Sequence, residues 1–314
     1  MTTRRNFLKT GSLFTAAGLI TGCNNTSPAQ KSEKAAFSYC LNTSTIGGQE
    51  PGLIKSIEIA AEAGYDGVEL WVRDVKSYLE QGNSAPDLKK FIADKGLRVE
   101  NAIGFAPWLA QGEVAKVQGF QQMEEEMQLM ESIGCLRIAA APAGVSANDP
   151  FDLFIAGKRY HDIIELGKSI GIMPQLEFWG ASPVLYHFSQ IMMIAAAANH
   201  PDVHLLPDVY HLFRGGSGFE GLKMLAGNVI EIFHMNDFVD TIPREKQQDK
   251  DRVYPGDGVA PLNEILTDLY NSGGTKILSV ELFNETYWKE DPLIVAKTAI
   301  EKMKSLVSEV VPGS

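Results

Sequence analysis

Cysteine is scarce in this chain, which has three Cys among its 314 residues. A small secreted domain held together by disulfides is therefore excluded. Cys40 and Cys135 fall in or beside predicted strands, and we expect both to be buried free thiols. Cys23 stands in a different context, at the end of the N-terminal segment.

Basic residues are outnumbered, with 28 Lys and Arg against 39 Asp and Glu and a formal net charge of −11. Such a surface repels phosphate backbones, so nucleic acid is not an expected partner. No predicted strand is followed by Gly-x-Gly-x-x-Gly, the spacing typical of dinucleotide-binding folds. The glycine-rich run from Arg214 to Gly218 lacks that spacing and is predicted to be a loop.

The N-terminal segment has no apolar run long enough to cross a membrane stably, since Leu13 to Ile20 is short. It carries a twin-arginine pattern at Arg4-Arg5, and Ile20-Thr21-Gly22-Cys23 resembles a bacterial lipobox. We expect a signal peptide over 1–22 and a flexible tether over 23–34 that begins with lipidated Cys23. The protein is then exported, periplasmic and lipid-anchored. An amphipathic helix with a chance Cys is the alternative.

The body, residues 35–314, alternates strand-like apolar runs with amphipathic helical segments. Eight strands are predicted, at Phe37–Asn42, Gly67–Trp71, Arg98–Ile103, Leu136–Ala141, Met173–Phe178, Val203–Val209, Ile230–Met235 and Ile277–Phe283. Glycines such as Gly64 and Gly171 separate helical stretches from strands, as expected of helix C-termini. Eight β-then-α units predict a single (β/α)₈ TIM barrel.

Four side chains that can bind metal stand at or near the ends of the last four predicted strands: Glu177, Asp208, His234 and Glu281. The C-terminal ends of barrel strands converge on one rim, so these residues can meet. Three carboxylates and an imidazole suit one divalent ion, Mn²⁺, Mg²⁺ or Zn²⁺. The alternative for any one of the carboxylates is a structural role, capping a helix or pairing with Lys.

The motifs Leu176-Glu177-Phe178, Asp208-Val209-Tyr210-His211, His234-Met235-Asn236-Asp237, Pro255-Gly256-Asp257-Gly258 and Val280-Glu281 resemble those of the xylose isomerase-like barrel superfamily. This group includes hydroxypyruvate isomerase and ketose 3-epimerases. The resemblance implies that Glu177, Asp208, His234 and Glu281 are metal ligands. It also implies that His211 and Arg252 contact the substrate. The superfamily shares its fold with endonuclease IV, but six His in all do not suit that enzyme's three-zinc cluster.

Weaker signals surround these residues. Glu69, near the end of the second strand, either binds a substrate hydroxyl or pairs with Arg137 or Arg98. Trp108 and Trp179 are predicted to bind substrate, as parts of an apolar wall with Trp71, Phe105 and Phe178.

We therefore expect a metal-dependent isomerase or epimerase of a sugar, keto-sugar or small hydroxy-keto acid, hydroxypyruvate isomerase-like in type. The metal would stabilise an enediolate, and the catalytic residues Glu177 and Glu281 would move the proton. A keto-glycoside lyase using the same site is the enzymatic alternative. A tethered, non-catalytic carbohydrate-binding protein is the other. The expected partner is a small carbohydrate; the oligomeric state, including a homo-oligomer, stays open.

Overall fold

The computed structural model describes residues 36–311. The predicted signal peptide 1–22, Cys23 and the tether 23–34 lie outside the described residues. Within the described part of the chain, no helix is both long and apolar enough to cross a membrane.

Eight parallel strands form one sheet in the order β6-β5-β4-β3-β2-β1-β8-β7. Their bounds are Ala36–Asn42 (β1), Gly67–Trp71 (β2), Arg98–Ile103 (β3), Arg137–Ala140 (β4), Met173–Glu177 (β5), Leu205–Leu206 (β6), Ile232–Met235 (β7) and Thr275–Val280 (β8). The two ends of the sheet meet through a parallel bridge between Asp208 and His234. There, the His234 N–H donates to the Pro207 carbonyl over 3.0 Å. The predicted (β/α)₈ barrel is confirmed.

Nine α-helices in the described residues alternate with these strands. They are Leu53–Ala63 (α1), Val72–Glu80 (α2), Ala85–Asp94 (α3), Glu113–Ser132 (α4), Leu153–Ile170 (α5), Phe188–Ala198 (α6), Val209–Arg214 (α7), Leu262–Ser272 (α8) and Pro292–Val310 (α9). Short 3₁₀ helices span Thr43–Gln49, Glu220–Met224, Arg244–Lys246, Asp249–Asp251 and Tyr287–Lys289. Gly64 and Gly171 end α1 and α5 with φ of 87° and 98°, a backbone region that favours glycine.

The sixth strand is much shorter than the predicted Val203–Val209. It ends at Leu206 because Pro207 has no N–H to donate to a ladder, and because Asp208 already caps α7. The Asp208 side chain accepts the backbone N–H of His211 over 2.8 Å. This early ending turns the Asp208 carboxylate toward the rim, where the site lies.

Apolar side chains fill the barrel on both sides of the sheet. An inner cluster contains Cys40, Ile103, Ala139, Leu206, Ile232 and Ile277. A larger cluster packs the outer faces of the strands against the helices. Burying such a side chain stabilises the fold by about 1.5–3 kcal/mol. Cys40 and Cys135 are both buried and free, as predicted.

Candidate active site

Three predicted ligands meet at the C-terminal rim of the strands. Asp208 follows β6, His234 lies in β7 and Glu281 follows β8. One ligand atom from each lies within 4.8 Å of the other two, and all three side chains are buried. Neighbouring parallel strands therefore bring together residues that are far apart in the sequence.

This triad has the dimensions of a divalent cation site. Ligand atoms on opposite sides of such an ion are about 4–5 Å apart, because each bond is about 2.0–2.6 Å long. The Nδ1 atom of His234 lies 3.3 Å from Glu281 Oε2 and 3.7 Å from Asp208 Oδ2. It is buried but not aligned for a hydrogen bond with either. An orphaned imidazole nitrogen facing two carboxylates fits a metal.

The other ring nitrogen of His234 is held by Glu69. His234 Nε2 lies 2.9 Å from Glu69 Oε1, and both side chains are fully buried. Three further side chains donate to the same carboxylate: Asn101 over 2.6 Å, Ser279 over 2.6 Å and Asn42 over 2.9 Å. A carboxylate on one imidazole nitrogen fixes the ring and turns the other nitrogen toward the metal position.

Asn42 links this network to the rest of the site. Its amide also donates to Glu281 Oε1 over 3.0 Å, and its oxygen accepts the indole N–H of Trp71 over 3.0 Å. Glu69, Glu281 and the aromatic ring of Trp71 are thus positioned by one buried amide. The predicted pairing of Glu69 with Arg98 or Arg137 was wrong, since these arginines pair with Glu100 and Glu231 instead. The alternative, that Glu69 binds a substrate hydroxyl, stays a prediction.

Arg252 places a buried guanidinium group beside two of the three predicted ligands. Its Nη1 donates to Asp208 Oδ2 and to Glu281 Oε2, each over 2.9 Å. Its Nη2 pairs with Asp249 over 2.7 Å and lies 3.3 Å from His211 Nε2. The guanidinium is 1% exposed. It lines the pocket while neutralising the two carboxylates.

The long segment after β7 delivers Arg252, and Asp237 fastens that segment. Its carboxylate accepts the backbone N–H groups of Phe238, Gly256, Gly258 and Ala260 over 2.8–3.1 Å. A Cβ at Gly258 would lie 2.2 Å from the Phe238 carbonyl oxygen, so only glycine fits there. Asp237 and the Pro255-Gly256-Asp257-Gly258 motif therefore hold the segment that positions Arg252.

Asn236 and His211 support Asp208. Asn236 donates to Asp208 Oδ2 over 2.9 Å and accepts the Tyr210 backbone N–H over 2.8 Å. The His211 backbone N–H donates to Asp208 Oδ1. Both Asp208 oxygens thus have fixed partners, and the His211 side chain lines the pocket.

Glu177 lines the same pocket but lies outside the triad. Burial, together with the nearby carboxylates of Glu281, Asp208 and Glu69, raises the pKa of Glu177 to about 8, against an opposing effect of His234. Of the four predicted metal ligands, the structure brings three into one group and places the fourth beside them.

Nearby charges lower the pKa of Asp208 and raise the pKa of His234. Burial works against ionised Asp208, but Arg252, His211 and His234 outweigh it and lower the pKa of Asp208 to about 2. Burial likewise opposes charge on His234, yet the carboxylates of Glu69 and Glu281 raise its pKa well above the ordinary value. Asp208 is therefore an ionised carboxylate beside two cations, Arg252 and His234.

The pocket over this site has a volume of about 460 Å³. Trp179 lines it, as predicted, along with Trp71, Phe105 and Phe283. Trp108 does not: its side chain is fully buried, its indole N–H donates to the Ala141 carbonyl over 2.7 Å, and its ring packs on Tyr160. The prediction for Trp108 was wrong, since its ring belongs to the larger core cluster and not to the pocket.

Sequence reasoning missed the supporting amides and the hydroxyl: Asn42, Asn101, Asn236 and Ser279. It also missed Phe283. A polar residue at an inward position of a buried strand is a usable signal for the first group, since such a residue needs a partner. Phe283, two residues after Glu281, carried no such signal.

The sequence of this chain matches a known protein family. The model of the xylose isomerase-like TIM barrel matches residues 57–306. The chain belongs to that family. The inosose isomerase of Bacillus velezensis is 27% identical over 277 residues, which cover 86% of this chain and 97% of that protein. The 3-dehydroshikimate dehydratase of Pseudomonas aeruginosa is 24% identical over 257 residues, covering 79% of this chain and 38% of that enzyme.

Two solved structures agree with the fold. The IolI protein with a bound zinc atom has a TM-score of 0.79 at 25% identity, covering 88% of this chain and 99% of the other. An L-ribulose 3-epimerase has a TM-score of 0.71 at 16% identity, covering 88% of this chain and 96% of the other. The second likeness concerns the fold alone.

Proposed function

We propose that this chain is a divalent-metal-dependent isomerase or epimerase of a small cyclic polyhydroxy ketone. The convergence of Asp208, His234 and Glu281 beneath a pocket that also contains Glu177 carries the proposal. The names of the relatives support it, because inosose and 3-dehydroshikimate are both cyclic hydroxy ketones. Mn²⁺, Mg²⁺ and Zn²⁺ all suit the donor set.

The reaction begins with removal of a proton from a carbon next to a carbonyl. The metal, when bound, would act as a Lewis acid toward the substrate oxygens. Asp208, His234 and Glu281 would hold it, with Glu69 fixing the imidazole. Glu177 is the proposed base, because its carboxyl group lines the pocket beside the three ligands without belonging to their group.

Arg252 and His211 would orient the substrate. Both side chains line the pocket, and Arg252 is held by Asp208, Glu281 and Asp249. Buried N–H donors with fixed directions are suited to ketone and hydroxyl oxygens. Return of the proton by Glu177 to the neighbouring carbon gives isomerisation. Epimerisation needs return to the same carbon from the other face, and Glu281 is the proposed donor for that step.

Elimination is the second candidate. The dehydratase relatives favour it, since their printed activity is loss of water. The same α-proton removal would start a keto-glycoside lyase, with a glycosidic oxygen as the leaving group. A non-catalytic carbohydrate-binding protein is the third, and it needs no base at Glu177.

Solvent deuterium exchange separates these functions. The full-length protein, loaded with Mn²⁺, is incubated with inosose in D₂O and followed by NMR. Deuterium at the α-carbon with a new isomer supports the proposal, and a new C=C absorbance with loss of water supports elimination. Binding without exchange would show a binding protein. Glu177→Gln should abolish exchange while Glu100→Gln, a buried acid at the other end of the barrel, should retain it.

We also propose that the enzyme works outside the cytoplasm on a lipid anchor. The support is the leader sequence, with Arg4-Arg5 and the lipobox at Cys23. Membrane fractions of cells that express the wild type and Cys23→Ser test this. Release of the variant into the soluble periplasmic fraction is expected; equal distribution of both proteins would contradict the anchor.

A further inference from the structure

The pocket has two chemically different halves. The polar half contains Glu177, His211, Asp249, Arg252 and Glu281. The other half is mostly apolar and includes Trp71, Phe105, Trp179, Ser182 and Phe283. The proposed reaction needs the first half, and it leaves the second without a role.

Four aromatic rings of the second half form a continuous wall, called here the aromatic wall: Trp71, Phe105, Trp179 and Phe283. Ring centroids are 5.5 Å apart for Trp71 and Phe105, 5.9 Å for Phe105 and Trp179, and 6.2 Å for Trp71 and Phe283. The wall starts at the reacting end, because the Arg252 guanidinium lies 5.2 Å from the Phe283 ring. It ends in solvent at Phe105, which is 43% exposed.

Neighbouring side chains hold the Trp71 ring of the aromatic wall in place. The indole N–H of Trp71 donates to Asn42, and the Arg73 guanidinium lies 4.3 Å from the Trp71 ring. A held ring loses little conformational freedom when a ligand packs on it. Phe105, in contrast, leaves much of its ring in water, a cost that an apolar ligand face would remove.

We propose that the substrate carries a flat, apolar ring, an aryl aglycone, joined to the polyol ring that reacts. The polyol ring occupies the polar half and the aryl ring packs on the aromatic wall. A pocket of about 460 Å³ lies within the range of about 300–1,000 Å³ that is usual for ligands larger than a single small ring. Only the placement of the polyol ring rests on the proposed function.

A second sugar ring suits this half less well. The polar side-chain groups of this half are the indole N–H groups of Trp71 and Trp179 and the hydroxyl of Ser182. The Trp71 N–H already donates to Asn42, and Ser182 Oγ already accepts the backbone N–H groups of Val184 and Leu185. Most hydroxyls of a second sugar would lose water here without gaining partners. An aryl ring has no hydroxyls to satisfy and gains contact with aromatic faces.

Calorimetric titration of the full-length, Mn²⁺-loaded protein tests the inference with ligands that lack a ketone and do not react. Phenyl β-glucopyranoside should bind at least about 10-fold more tightly than methyl β-glucopyranoside, since a buried aryl face contributes an energy of that order. Phe105→Ala should reduce this ratio to within about 2-fold. Phe154→Ala, at a 60% exposed position on α5 outside the pocket, should leave it unchanged.

Equal affinities for the two glucosides, or no detectable binding of either, would overturn the inference. Tighter binding of cellobiose than of the phenyl glucoside would overturn it in favour of a second sugar. A phenyl preference that survives Phe105→Ala would also count against the aromatic wall. Because these titrations involve no reaction, a failed deuterium exchange with an intact phenyl preference would reject the proposed function alone.

Discussion

The two ends of the barrel bury charge in different ways. At the N-terminal end, Arg137 pairs with Glu231 and Glu100, and Glu100 also pairs with Arg98. Lys276 donates to the carbonyls of Gly227 and Gly273. Glu100 and Glu231 contact different nitrogen atoms of Arg137, so each acid there has donor atoms of its own, and the contacts serve stability.

At the C-terminal end, by contrast, two acids share the same nitrogen atom of each cation. Asp208 and Glu281 both accept from one guanidinium nitrogen of Arg252, and both face one nitrogen of His234. Shared cations leave each carboxylate with the capacity to bind another positive charge. The difference separates a structural ion-pair cluster from a candidate metal site, and matched variants at the two ends test it.

Arg252→Met should have the largest effect. Without metal, it leaves the buried carboxylates of Asp208 and Glu281 without their shared partner, and the free energy of unfolding should fall by about 3–5 kcal/mol. Mn²⁺ should recover part of this loss, because it replaces the missing positive charge. Urea unfolding with and without Mn²⁺ measures both effects.

Arg137→Met is the matched variant at the other end. It should also destabilise the fold, because Glu100 is buried, but Mn²⁺ should recover no more than it gives the wild type. Equal recovery in the two variants would remove the distinction between the ends.

His234→Ala should weaken Mn²⁺ binding by more than about 100-fold, since loss of a ligand exceeds the loss usual for a supporting partner. His204→Ala should leave Mn²⁺ affinity within a few-fold of the wild type, because His204 stands before β6, away from the rim. Calorimetric titration measures both. Similar losses would mean that His234 is not a ligand.

Glu69→Gln should weaken Mn²⁺ binding by about 10- to 100-fold. The new amide nitrogen would face the donors Asn42, Asn101 or Ser279, so the hold on His234 Nε2 would loosen. The measurement is again calorimetric titration, together with the NMR signals of the His234 ring.

Glu100→Gln, the matched buried acid, should lower stability without changing Mn²⁺ affinity. A comparable loss of affinity there would make the effect of Glu69 a general consequence of disturbing the barrel.

Glu177→Gln should change how stability depends on pH. The pKa of Glu177 is raised from 4.5 to about 8 in the folded protein. Between these values the folded protein keeps a proton that the unfolded chain releases, so the free energy of unfolding falls as pH rises. The free energy of unfolding should fall by about 1.4 kcal/mol per pH unit between the two pKa values, and the fall should level off above pH 8. Urea unfolding in EDTA from pH 5 to 8 should show this slope in the wild type and lose it in the variant.

Lys276→Met supplies the contrast at the other end. Burial lowers the pKa of Lys276 from 10.5 to about 8, against a smaller effect of Glu231. Its contribution to stability is therefore lost as pH falls through 8 and grows between 8 and 10.5. The variant should match the wild-type slope below pH 7; parallel curves for Glu177→Gln and the wild type would instead refute the assigned pKa.

Much of this architecture could be predicted from local patterns. The apolar runs and the glycines after helices depend on neighbours in sequence, so β2 and β3 were predicted with their observed bounds. The rim positions of Asp208, His234 and Glu281 followed from the strand ends. The partner of Glu69 could not be predicted, because Glu69 and His234 stand 165 residues apart. Nothing local distinguishes that imidazole from Arg98 or Arg137 as a partner.

The sequence by itself determined the order of strands and helices, the acidic surface and the donor types at the rim, since these depend on residue type and short-range periodicity. Only the tertiary structure decided which nitrogen of His234 faces the triad, that Arg252 bridges Asp208 and Glu281, and that Trp108 belongs to the core while Phe283 belongs to the pocket. Those outcomes depend on closing the barrel, which sets distances between side chains that no sequence spacing specifies.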